Sequence, residues 1–313
     1  MTSLDTVRIM HLSDMHLACL DKISWRSLLN KRILGYIRWH TGRSREYEYR
    51  ILPLIRQEIQ RLRPDQVVLT GDLTHLGLAI EFQHVAGWLD SIAPADSITI
   101  VPGNHDVYVP APWEENFSFW GNYILPYSSY TGEIPPASID ALFPTLHIRK
   151  NVAIIGISTA QSCGWHLATG RIGHEQLERI ETALKAAKAR RLFRIIALHH
   201  PPVPGKVGRR KRLIDITGLS RIIARSGCEL VLHGHSHNAS IYSINGPGYK
   251  IPAIEAPSAL SISRRKKHRA RFFICEIKKE DPNEWKCKVI THGFESLTEG
   301  FVTRDIREFT LPC

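Results

Sequence analysis

The chain reads as an α/β protein with its chemistry placed beyond the carboxyl ends of parallel strands. Three observations predict this. Five near-continuous apolar runs recur along the sequence, helical patterns separate them, and a short block of oxygen and nitrogen ligands follows each run. Apolar runs of this kind suit strands covered on both faces, and alternation with helices argues for parallel pairing.

Taken in order, Val7 to Leu12 precedes Asp14-Met15-His16, and Gln66 to Leu69 precedes Gly71-Asp72. Ser97 to Val101 precedes Gly103-Asn104-His105-Asp106. Phe193 to Leu198 precedes His199-His200, and Glu229 to Leu232 precedes Gly234-His235-Ser236-His237. Arg45 to Leu62 carries Tyr49, Leu52, Ile55, Ile59 and Leu62 near helical spacing, and Glu81 to Asp90, His174 to Ala189 and Thr217 to Arg225 also predict helices. After Ser240, the segments Ile241 to Ile244, Tyr249 to Ile254, Arg271 to Ile277 and Trp285 to Thr291 predict strands, with Asn245 to Gly248 and Asp281 to Asn283 as turns. These four predict a second, more antiparallel sheet packed on the first. No internal repeat or low-complexity linker interrupts the pattern. The expectation is one domain over 1–313, with insertions at 20–44 and at 107–144, the latter an ordered aromatic and Pro-rich loop near the site.

The 313 residues are 43% hydrophobic, enough for a sizeable core and too many for disorder. No apolar run approaches the ~20 residues of a membrane span, and Met1 to Met10 lacks a signal-peptide stretch. The expected compartment is the cytoplasm. The six cysteines are scattered without a Cys-x-x-Cys pair, which argues for reduced thiols. Lys and Arg number 41 against 30 Asp and Glu, a balance that attracts phosphates, nucleic acid or an anionic membrane surface.

Ligand blocks at several strand ends can converge on one site. A pair of divalent metals there activates water and clamps a phosphoryl group. Asp72, alone after a glycine at a strand end, is the natural bridge between two ions. Asp14 and His16 can reach one metal from a single turn; Asn104, His199 and His235 can complete one coordination sphere and His237 the other. Imidazole and carboxylate without thiolate suit Mn, Fe, Co or Zn, with manganese the first expectation. Gly71, Gly103 and Gly234 let the backbone turn tightly beside the ions.

The ordered set D-x-H, G-D, G-N-H-D, H-H and G-H-x-H resembles the calcineurin-like metallophosphoesterase superfamily. Within it, the set is most similar to the bacterial cyclic-nucleotide and glycerophosphodiester phosphodiesterase branch. Any one block is weak; five in order, spanning Asp14 to His237, are specific. The resemblance implies a four-layer αββα sandwich with two mixed sheets. It implies that Asp14, His16, Asp72 and His237 hold one metal and that Asp72, Asn104, His199 and His235 hold the other. It also implies a metal-bridging hydroxide as nucleophile, His105 acting on the substrate, and Asp106 orienting His105. Of the adjacent pair, His199 is nearer the strand and is taken as the ligand, with His200 lining the pocket.

His11, His75 and His233 lie beside the blocks and read as structural, His75 as a satisfied loop histidine. The segment Ser24 to His40 places Trp25, Leu28, Leu29, Ile33, Tyr36 and Ile37 on one helical stripe, with Arg26, Lys31 and Arg38 around it. Such a stripe either packs a cap helix on the body or touches a membrane or lipid substrate. The basic run Lys206 to Arg212 begins near a ligand block, so Arg209 and Arg210 are candidates for binding the rest of an anionic substrate; Arg264 to Arg269 is a second run. The expected substrate is a phosphodiester or pyrophosphate of nucleotide or phospholipid-precursor type, such as a UDP-diacylglucosamine-like molecule or a cyclic nucleotide. A nuclease would need the aromatic and basic interleaving of a single-strand platform, which is missing. A non-catalytic scaffold would have lost ligands, and every position here is filled. If 24–40 touches lipid, the protein is peripheral at the inner membrane surface.

Overall fold

The computed structural model describes residues 6–21, 23–128 and 139–313. Residues 1–5 of the N-terminal segment, residue 22 of the first expected insertion and residues 129–138 of the second lie outside the described residues.

Two six-stranded mixed sheets stack with helices on their outer faces. The first has the order β12-β11-β10-β1-β2-β3, built from β1 (Val7–Leu12), β2 (Gln66–Leu69), β3 (Ile98–Ile100), β10 (Arg271–Asp281), β11 (Glu284–Ser296) and β12 (Gly300–Pro312). The second has the order β4-β5-β6-β7-β9-β8, built from β4 (Thr145–Arg149), β5 (Val152–Gly156), β6 (Phe193–Ala197), β7 (Leu230–His233), β8 (Ser240–Asn245) and β9 (Lys250–Glu255). β1, β2 and β3 are parallel neighbours, as are β5, β6, β7 and β9. All five ligand blocks therefore leave the carboxyl ends of parallel strands, at β1, β2, β3, β6 and β7.

Alternation along the strands divides the core. Ile154, Ile195, Ala197, Leu230 and Leu232 face the first sheet and join Ile9, Val67, Phe272 and Ile274. Their neighbours Ile155, Ile196, Leu198 and Val231 face outward onto α5 (His174–Ala189) and α6 (Ile216–Ser226), through Ile180, Leu184, Leu219 and Ile223. On the first sheet's side, α2 (Ile51–Leu62) buries Ile51, Ile55 and Ile59, and α3 (Ala79–Ile92) buries Phe82, Val85 and Leu89. The one-turn α4 (Gly121–Ile124) and its flanking 3-10 turns pack Phe117 and Trp120 on Phe82. Most of the described 107–144 segment thus serves the core, and Tyr108 alone in it reaches the pocket.

The late strands do not form a sheet of their own. β8 and β9 extend the second sheet, while β10, β11 and β12 extend the first through an antiparallel β1–β10 pair. β1 has a parallel neighbour on one side, and its buried backbone needs partners on the other; β10 supplies them. The expected helix over 24–40 is also broken. A 3-10 turn covers Trp25–Leu28, the Asn30 side chain accepts from the Arg32 backbone N–H, and α1 (Arg32–His40) starts anew. Its buried residues are Gly35 and Trp39, off the expected stripe, whereas Trp25, Leu29 and Ile37 are exposed.

Candidate metal centre

The turns after the strands hold their side chains by left-handed backbone. Asp14, His16, Asp72, His235 and His237 all have positive φ, between 46° and 74°. L-residues reach this region at about 1–2 kcal/mol each, and such strain gathers where geometry serves function. Close backbone contact does the rest: a Cβ on Gly103 would overlap the Asp72 backbone nitrogen and Oδ1.

Three groupings of ligand atoms result: one of Asp14, His16 and His237, one of Asp72, His199 and His235, and a third of His16, His75 and His105 that has no carboxylate. In the first, His237 Nε2 lies 3.2 Å from both Asp14 Oδ1 and His16 Nε2. In the second, His199 Nε2 lies 3.4 Å from Asp72 Oδ2, 3.1 Å from His235 Nδ1 and 3.3 Å from Asn104 Oδ1. Asp72 Oδ2 is also 3.9 Å from His16 Nε2, so one carboxylate oxygen faces both clusters. Asp72 Oδ1 is occupied differently, accepting the His105 backbone N–H at 2.7 Å.

Backbone carbonyls set the imidazole tautomers. His199 Nδ1 donates to Thr70 O at 2.7 Å, His16 Nδ1 to Thr74 O at 3.3 Å and His235 Nε2 to Lys211 O at 2.8 Å. In the neutral ring the lone pair then falls on the nitrogen that faces the cluster, the arrangement of metal-ligating histidines; in the metal-free chain Asp72 favours a proton on that nitrogen of His199. Asp14 Oδ2 accepts from His235 N and Ser13 Oγ, while buried Asp14 Oδ1 makes no aligned hydrogen bond among the described residues and faces the His237 imidazole nitrogen of its own cluster at 3.2 Å. A buried carboxylate oxygen so orphaned, beside inward-turned lone pairs, fits a divalent cation.

Burial opposes charge on Asp14 and Asp72. His237 beside Asp14 and His199 beside Asp72 nevertheless hold both carboxyls below the usual carboxylate range. Burial likewise opposes charge on His199, but Asp72 outweighs it and lifts that ring to about 9. His16 and His235 are held well below the usual imidazole value by burial, with Arg43 and His200 respectively adding repulsion.

Residues 7–239 match the calcineurin-like phosphoesterase family. The chain belongs to that family. Its fold is similar to a dimetal phosphatase from Danio rerio, with a TM-score of 0.61 at 12% identity over 98% of this chain and 99% of the other. It is also similar to purple acid phosphatase PPD1 from yellow lupin (Lupinus luteus) seeds, with a TM-score of 0.54 at 13% identity over 98% of this chain and 54% of that one. At such identities the likeness is one of fold. No curated protein sequence matches the chain. Family fold and paired ligand clusters together support phosphoesterase activity with two metal ions.

Three expected roles need correction in this phosphoesterase. Asp106 does not touch the His105 ring. Its carboxylate accepts from Gly103 N, Thr74 N and Thr74 Oγ1, bracing the two strand-end turns, and burial next to Asp72 raises it to about 7. The His105 ring is fixed instead by the His75 carbonyl, to which Nδ1 donates at 2.5 Å. His200 does not line the pocket. It is fully buried, with Nε2 donating to Ala168 O and Nδ1 facing the Thr159 hydroxyl, and so supports the loop behind the site. Arg209 is exposed and is not among the residues lining the pocket, whereas its neighbours in the same 3-10 turn, Arg210 and Lys211, line it.

That pocket, of about 320 Å³, is lined by Lys31, Arg38 and Arg43 from α1 and its flanks, by Gly164, His166, Leu167, Ala168 and Arg210, and by the strand-end residues Asp72, Asn104 and His105. Lys211 belongs to the basic run expected to bind anion and Tyr108 to the aromatic loop expected near the site, whereas Arg43 and the 164–168 loop were not anticipated; no periodicity or spacing marks them. His75, expected to be a satisfied loop residue, is buried against Trp39 and His105 with Nδ1 lacking a partner among the described residues. His11 and His233 turn away to Thr70 Oγ1 and the Tyr242 hydroxyl.

Proposed function

We propose that this phosphoesterase cleaves a phosphodiester or pyrophosphate bond in a bulky amphiphilic or nucleotide anion, using two manganese ions. Asp14, His16, Asp72 and His237 would hold one ion, and Asp72, Asn104, His199 and His235 the other. When bound, such a pair lowers the pKa of water and offsets charge on the phosphoryl oxygens. The chain's own residues do the rest. His105, pinned through Nδ1, presents Nε2 to the pocket. Burial lowers its pKa to about 4, and an arriving phosphate anion favours a second proton, making the ring a donor to the phosphoryl or leaving oxygen.

The observation that carries this reading is the shape of the opening. Lys31, Arg38, Arg210 and Lys211 line the pocket together with Leu34 and the exposed Leu167, and the segments that supply them also expose Trp25, Leu29, Ile37 and Trp165. A charged head fits the floor and an apolar portion the rim, at a membrane surface if the substrate is a lipid precursor. No helix among the described residues is long and apolar enough to cross a membrane.

Turnover of manganese-loaded protein on a panel tests this: a chromogenic diester, a monoester, cyclic AMP, a UDP-lipid pyrophosphate and single-stranded DNA. Selective cleavage of the pyrophosphate or a diester is expected. Preference for the monoester or DNA would overturn the substrate class.

A further inference from the structure

Arg43 holds a position that the ligand set and His105 do not explain. Its guanidinium reaches the edge of the first cluster, with Nη2 3.3 Å from His16 Nε2 and 3.4 Å from the Tyr47 hydroxyl. It forms no ion pair among the described residues, although the charges of Asp72 and Asp14 are felt at its guanidinium. Guanidinium carries five N–H donors in a rigid fork, and only one nitrogen is engaged here, by two long contacts. The His16 Nε2 lone pair, once given to a metal, cannot accept from Arg43 as well. Its donors are then left to whatever fills the pocket that Arg43 lines.

The surroundings say what that is. Among the described residues, Asp72 is the sole carboxylate in the pocket lining, against Lys31, Arg38, Arg43, Arg210 and Lys211. Of the other four cations, Arg38, Arg210 and Lys211 are exposed, and Lys31 Nζ is tied to Cys163 O. Arg43 lies against the fully buried His16 ring, which His105 meets edge-on at 4.6 Å. A planar fork matches two oxygens of a tetrahedral phosphoryl group, which a lysine's point charge does not.

We propose that Arg43 is a phosphoryl-binding residue, donating to the non-bridging oxygens of the group under attack and sharing them with His105. The assignment rests on the phosphohydrolase reading of the site. It also gives the 20–44 segment a second duty, since that segment delivers a floor cation as well as shaping the rim.

The test uses the full chain loaded with manganese and inorganic phosphate as the probe. Phosphate affinity by titration calorimetry and metal content per chain are compared for wild type, R43K and R43A. The expected result is two metals in all three, phosphate binding at least tenfold weaker in R43A, and an intermediate value in R43K. Unchanged phosphate affinity in R43A overturns the proposal, and so does loss of a metal, which would place Arg43 in the support of the ligands. If R43A does not fold, R43K decides: weakened binding supports the role, and wild-type affinity refutes it. Wild type that binds phosphate yet cleaves nothing on the substrate panel would sink the hydrolase reading while leaving the Arg43 comparison intact.

Discussion

Asp72 Oδ2 lies 3.4 Å from His199 Nε2, while Oδ1 of the same carboxylate is tied to the His105 backbone N–H. One oxygen is thus reserved for the space between the clusters and the other locks the turn that carries Asn104. Replacing Asp72 by Ala removes both functions. Outer-shell changes already cost metal sites about 10–100-fold in affinity or activity, so D72A should exceed that and carry fewer than two metals per chain. Metal analysis after gel filtration, paired with turnover, checks this; two retained ions with near-normal turnover would rule out the bridge.

His105 should separate chemistry from metal binding. Its ring is held by the His75 carbonyl and touches the pocket, but it belongs to neither of the two clusters that share the Asp72 face. General acid–base groups contribute about 10²–10⁴-fold. H105A should lose turnover in that range with both metals in place. Metal loss would instead reassign His105 to the third grouping it forms with His16 and His75.

How far the sequence reaches depends on the range of the contact. The ligand blocks are legible because each is local: an apolar strand, a turn, then Asp or His at fixed spacing. The helix over His174–Ala189 is legible for the same reason. Sheet membership is not, because alternation tells which face a residue takes and not which strand lies beside it; hence β10 beside β1 came only with the structure. β12 was missed because its exposed edge carries no apolar run. Arg43 escapes notice because its role exists only across a long loop, 27 residues from His16. Asp106 and His200 were placed one step too close to the chemistry, since type and adjacency cannot show where a side chain turns.

Buried neutral histidines set the acid limit of the metal-free chain. Burial is the main cause that lowers His11, His147, His200 and His233 to about 3, far below 6.5. Groups with a depressed folded pKa lose stability as pH falls from the unfolded value toward the folded one. Glu81 and Asp106 act oppositely, since burial raises both to about 7 and their contribution falls as pH rises toward that value. The histidines outnumber them, so between pH 4.5 and 6.5 the unfolded chain binds more protons. Stability in chelator should climb with pH at about 1.4 kcal/mol per unit for each net proton. Urea melts at fixed ionic strength read the slope, and a flat or falling curve would contradict the buried neutral assignment.

The rim should distinguish small from amphiphilic substrates. Trp25 is 66% and Leu29 71% exposed, and Ile37 is 48% exposed, so replacing all three by Ser removes little packing. Deleting the whole segment would be a poorer test, because Arg32 anchors it through Leu76 O and Gly77 O and Lys31 through Cys163 O. The triple variant should keep turnover of a chromogenic diester within about twofold and melt within about 1 kcal/mol of wild type, as surface changes usually do. Each large apolar side chain withheld from lipid forfeits about 1.5–3 kcal/mol of burial at most. KM for a UDP-lipid pyrophosphate in anionic vesicles should therefore rise at least tenfold, and flotation with those vesicles should be lost. Equal effects on both substrates, or none on either, would leave these residues without a part in substrate capture.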